Sequence, residues 1–77
     1  MNVMEIVDIY VQPGTVVYYL DENGYEGDRE YASKFMQKYQ ILTVRDSDIG
    51  GFRTELEFEE LPGKWFNHVM FGVKNNG

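Results

Sequence analysis

The sequence predicts a small, mainly β (α+β) domain: a curled antiparallel sheet or SH3-like barrel of about five strands with one short helix. Three observations carry this. The 77 residues make a single domain, 1–77, with no room for a second. Short runs rich in β-branched and aromatic residues are separated by Gly, Pro and Asn-Gly turn signals. One segment alone, Asp28 to Tyr39, has helical spacing. An OB-like barrel, or a flatter sheet with the helix on one face, satisfies the same pattern.

Each element follows from its residues. Val3 to Val11 reads as a first strand and stops at Pro13-Gly14. Thr15 to Leu20 (TVVYYL) reads as a second strand, the two forming a hairpin. Asp21 to Gly27 is a loop built on Asn23-Gly24. Asp28 has the chemistry of a helix cap, and Tyr31, Phe35 and Tyr39 recur every four residues after it. Glu30 and Lys34 stand in the favourable order for an ion pair. Ile41 to Asp48 is a third strand, ended by Gly50-Gly51. From Phe52 to Glu60 the alternation is strict: Phe52, Thr54, Leu56 and Phe58 face one way and Arg53, Glu55, Glu57 and Glu59 the other. That period of two means one face buried and one in water. Pro62-Gly63 reads as the next turn and Lys64 to Val73 as the last strand, with residues 74–77 a flexible tail.

Charge and composition narrow the function. Lys plus Arg is 7 against 13 Asp plus Glu, a net charge of -6. Phosphate-backbone binders are normally basic, so direct nucleic-acid binding is disfavoured. Cysteine is absent, which removes disulfides, thiolate metal sites and a cysteine nucleophile. No apolar run approaches a membrane span and the start lacks a basic leader, so a cytoplasmic protein is expected.

The chemical inventory points away from catalysis. His68 is the one histidine, Ser33 and Ser47 the two serines, and no nucleophile-elbow spacing exists. The acidic stretch 21–28 fails the calcium-loop pattern: Tyr25 stands at a ligand position and Ala32 where the bidentate acid belongs. No cofactor and no metal are expected. Two acidic clusters stand out, Asp21, Glu22, Glu26, Asp28 and Glu30, then Glu55, Glu57, Glu59 and Glu60; together they hold nine of the 13 acids. They serve solubility or meet a basic partner, and a row of strand carboxylates about 6.8 Å apart can imitate a phosphate strand. The 12 aromatics read mainly as core; Tyr25 and Trp65 are candidates for exposed contacts. Tyr10, Tyr18, Tyr19, Tyr25, Trp65 and Phe66, with Arg29, Arg45 and Arg53, are the material for a small-molecule or nucleotide pocket.

A set of residues carries a family resemblance: Asn23-Gly24-Tyr25, Asp28 to Ala32, Leu42-Thr43-Val44, Gly50-Gly51-Phe52 and Pro62-Gly63 followed by Phe66-Asn67 and Val69-Met70-Phe71. Together these resemble small proteins of phages and prophages of Gram-positive bacteria, over roughly residues 14–71. His68 and Gly72 depart from that pattern. The resemblance implies a small β-rich domain with a phage accessory role. The expectation is a non-enzymatic protein that binds and modulates or inhibits a bacterial host or defence factor with a basic surface. Sequestration of a nucleotide signal and mimicry of DNA are the alternatives, and self-association as a homodimer is a further expectation.

Overall fold

The computed structural model of the chain describes residues 3–75. Among them six strands form one sheet: β1 Val3–Ile6, β2 Val16–Tyr19, β3 Ile41–Ile49, β4 Thr54–Phe58, β5 Leu61–Asn67 and β6 Phe71–Asn75. Helix α1, Glu26–Ala32, lies between β2 and β3, and a 3-10 turn, His68–Met70, joins β5 to β6. The order across the sheet is β1-β6-β2-β3-β4-β5, and every neighbouring pair is antiparallel. The expected mainly-β class with one short helix holds, with six strands in place of about five.

The sheet is rolled by its own connections. Strands β6 and β5 stand four steps apart in the order, which is roughly 19 Å across a flat sheet. Only His68–Met70 separate them in the chain, a reach of at most about 14 Å. The strands must therefore curl toward each other. The ladder still ends at β1 and β5 without joining them, so the described residues form an open curled sheet.

Several sequence expectations are corrected. The first two strands do not pair: β1 pairs with β6, and β2 with β3 and β6. The segment between them instead makes turns closed by Val11 N–H to Asp8 O and Thr15 N–H to Gln12 O. The stretch read as one last strand is two, β5 and β6, broken where the Asn67 side chain accepts the Val69 N–H. Pro62-Gly63 is no turn; it bulges the edge strand β5, the position where a sheet tolerates proline. The turn itself is at Glu59-Glu60. Lys74 and Asn75, expected in a loose tail, belong to β6; the rest of that tail lies outside the described residues. Helix α1 starts before Asp28 and stops at Ala32; beyond it the chain runs on in tight turns. Phe52 lies outside β4 and points fully into solvent.

One bulge has consequences for charge. Val44 pairs with Phe58 but Asp46 pairs with Glu57, so Arg45 is an extra residue on β3. Before it Leu42 and Val44 point inward; after it the inward positions are Ser47 and Ile49. Strict alternation of the same residues, with no bulge at Arg45, would turn Asp46 and Asp48 to the core.

The core lies inside the curl. Val17, Tyr19, Leu42, Val44, Leu56, Phe58, Phe66, Met70 and Phe71 are fully buried. Its rings form a chain: Tyr19 to Phe71 at 5.7 Å, Phe71 to Phe58 at 4.7 Å, Phe58 to Phe66 at 5.9 Å. Tyr31 of the helix and Phe35 just after it extend that chain, packing on Phe66 at 5.3 and 6.2 Å. Such pairs add about 0.5–1.5 kcal/mol each beyond burial. A seven-residue helix containing Gly27 would not persist in water; packing of Ala32 and Tyr31 against β5 holds it.

Candidate functional site

Three separate segments meet at one end of the rolled sheet: the Asn23–Tyr25 loop ahead of α1, the Gly50–Arg53 turn between β3 and β4, and the Asn67–Val69 turn between β5 and β6. Ile9 completes the wall of a cleft of about 490 Å³ between them. The residues that carry the family resemblance supply much of this cleft, although they are scattered along the sequence.

Asp28 holds the segments together. Its Oδ1 accepts from Arg53 Nη2 at 2.6 Å, and its Oδ2 accepts from Asn67 Nδ2 and from the Tyr25 backbone N–H, both at 3.2 Å. Asp28 is thus the acid at the third helical position that reaches back to the start of the helix, and not the cap itself. Asn23 Nδ2 donates to the Val69 carbonyl at 3.2 Å, and His68 Nδ1 donates to the Thr54 carbonyl at 3.3 Å. Gly24 has φ +69 and a Cβ there would lie 3.3 Å from Met70 Cγ and 3.4 Å from Asp28 Oδ2, so both conformation and space call for glycine. Burial acts to raise the Asp28 carboxyl, but Arg53, Asn67 and the Tyr25 N–H together hold it below the usual carboxylate range. The bond to Asp28 pushes the Arg53 guanidinium above its ordinary value, against burial and with help from Glu55.

The two acidic clusters meet here at a single point. Arg53 Nη2 lies 2.6 Å from Asp28 and 3.3 Å from Glu55, so one guanidinium neutralises the junction. The other expected contact residues are spread out. Asp21 accepts a bond from the buried Tyr19 hydroxyl. Glu22, Glu26 and Glu30 are exposed, and no Glu30–Lys34 ion pair forms. Glu57 accepts the Gly63 N–H at 2.6 Å and stands 3.8 Å from Arg45. Glu59 is exposed on the turn after β4, and Glu60 grips Thr43 through its N–H and hydroxyl at 2.8 and 2.9 Å. Trp65 is half-buried on edge strand β5, away from the cleft. Of these eleven residues, Tyr25 lines the cleft and Asp28 and Glu55 brace it through Arg53. Tyr19 and Phe66, offered for a pocket, are core residues.

Sequence reasoning missed Phe52, Asn67 and His68 as cleft residues, and Asp46 and Asp48 as charged neighbours; Arg53, offered for a pocket, lines the cleft. Asp46 stands directly opposite Glu57, and Asp48 opposite Glu55. Like charges so placed repel. The outer face of the β3–β4 hairpin is therefore a grid of four carboxylates beside the cleft. The signal in the sequence was the break in alternation at Arg45-Asp46.

Cleft chemistry is that of contact. Tyr25 is 76% and Phe52 108% exposed, so the Phe52 ring has no packing partner among the described residues. Among the described residues no three His, Asp or Glu side chains come together as a metal site, and no helix is long and apolar enough to cross a membrane. A family model described as Bacteriophage T4 protein Y07B matches residues 5–77. No curated protein and no solved structure matches the chain.

Proposed function

Because this chain belongs to the Bacteriophage T4 protein Y07B family, we propose that it is a non-enzymatic phage accessory protein that binds and modulates or inhibits a bacterial host or defence factor. The family supports a phage protein in general; a Gram-positive host remains part of this proposal, as does action in the host cytoplasm. The observation that carries the reading is the cleft, where two solvent-facing aromatic rings stand beside a grid of carboxylates on a braced frame. A partner offering a basic segment with one apolar side chain matches both features. Burying a ring the size of Phe52 gives about 1.5–3 kcal/mol, and the carboxylates add orientation and on-rate. The strand order β6-β2-β3-β4-β5 with a 3-10 turn before β6 supports the SH3-like description and sets the cleft between loops.

The test is affinity capture from host lysate with the tagged protein and with Phe52→Ala and Tyr25→Ala. A saturable partner is expected, weakened about tenfold or more by Phe52→Ala and weakened by added salt. A partner retained undiminished by both variants sinks the cleft as the contact.

The carboxylate grid favours one second reading, an acidic DNA mimic occupying a basic groove. Charge reversal at Glu55, Glu57 and Glu59 would then weaken capture more than loss of Phe52. A nucleotide-sequestering pocket has less support, since the guanidinium of Arg53 at the cleft is already held by two carboxylates.

A further inference from the structure

We propose that the outer face of β1-β6-β2-β3 is the contact surface of a homodimer. The register places Ile6 beside Gly72, Gly72 beside Tyr18, and Tyr18 beside Ile41. Their neighbours in sequence, Val17, Tyr19, Leu42 and Phe71, fill the core, so these residues point the other way. Ile6, Val16, Ile41 and the adjoining Tyr39 are 49, 47, 56 and 57% exposed. Scattered apolar residues need no explanation, but a contiguous patch on a sheet does. Leu20, 4% exposed, already lies on Gly72 from this side, where a Cβ would come within 3.0 Å of its Cδ2. A recess of about 360 Å³ opens between Met4, Tyr18, Tyr39 and Lys74, directly beside the protruding Ile41.

The charge on this face selects the occupant. Its cations are Lys74, 4.9 Å over the Tyr18 ring, and Lys38, 5.3 Å over the Tyr39 ring. Glu60 stands at its rim, tied to Thr43. By alternation Glu5, opposite Val73, belongs to the other side. The carboxylates of β3 begin only beyond the Arg45 bulge. A basic partner is therefore turned away from this face. Two chains of charge -6 meet with least repulsion through it. A two-fold axis sets a ridge beside each recess against the recess of the other copy. A standard interface takes about 800 Å² from each partner, near one sixth of the 4886 Å² surface. The strands of this face are short, so the dimer is weak, with a dissociation constant on the order of 100 µM.

Sedimentation equilibrium tests this on the intact chain from about 10 µM to about 1 mM. The mass should rise from 9.0 kDa toward twice that value. Association should strengthen with salt, because an apolar contact between like-charged chains gains from screening. Ile41→Glu should weaken it about tenfold or more, and Val16→Thr, which keeps a β-branched residue in the strand, should weaken it less. Phe52→Ala should leave it unchanged. A mass of 9.0 kDa at every concentration overturns the proposal. So does association that weakens with salt, or that survives unchanged in Val16→Thr and in Ile41→Glu shown to be folded by circular dichroism.

Discussion

Asp28 illustrates how one side chain serves two structures at once. It closes the start of α1 and clamps to it the turn before β4 and the end of β5, with its side chain 11% exposed. Asp28→Asn keeps the shape and removes the charge; a hydrogen bond to a charged group is worth about 1.5–3 kcal/mol, so urea denaturation at neutral pH should show a loss of about that size. The pH dependence has a definite sign. The folded carboxyl titrates below its unfolded value, so its contribution is complete above the unfolded value near 4 and is lost as pH falls through the folded one. Glu60 acts in the same direction: burial raises it, but the Thr43 N–H, its own backbone N–H and the Thr43 hydroxyl lower it further. Stability should fall below about pH 4, and the gap between wild type and Asp28→Asn should close there. Asp28 was legible as a residue that begins a helix. Its wider grip was not, because Arg53 and Asn67 are 25 and 39 residues away in the chain.

At the scale of elements, β4 was the most legible. Alternation of Thr54, Leu56 and Phe58 with Glu55 and Glu57 is a local signal, and burial follows it. The helix was half legible. Phe35 and Met36 keep the inward spacing beyond Ala32, but there Lys34 and Phe35 bond three residues back, tightening the turn without changing which rings face the core. The pairing of β1 was illegible, since Pro13-Gly14 announces a local hairpin while the partner lies near the other end of the chain. The break between β5 and β6 carries no Gly or Pro, only Asn67. Two predictions belong here. Asp48→Asn removes one like-charge pair across β3 and β4 and should stabilise by about 0.2–1 kcal/mol in urea denaturation. Deleting Arg45 removes the bulge and restores plain alternation, with Val44, Ser47 and Ile49 inward and Asp46 and Asp48 outward, so the variant should keep a cooperative thermal transition by circular dichroism.

For the whole molecule the excess of acids sets the response to salt. Thirteen acids face seven bases, and the ion pairs among the described residues gather on Arg45 and Arg53. Screening weakens those few attractions and a larger number of repulsions, so the second effect wins. Thermal unfolding should move upward on adding about 0.5 M sodium chloride; a net gain of about 1 kcal/mol corresponds to about 4–8 °C in a domain of this size. A downward shift would mean that the Asp28–Arg53–Glu55 junction outweighs the general repulsion. The position of β6 reaches further, into how the chain is made. Of the six strands it leaves the ribosome after the other five, yet it lies between β1 and β2. Until Phe71 emerges, β1 has no partner to bond and β2 keeps one edge open. Assembly is thus a single late closure across the length of the chain, slow by the measure of contact order, and a nascent or truncated product ending at Met70 would remain open to proteases.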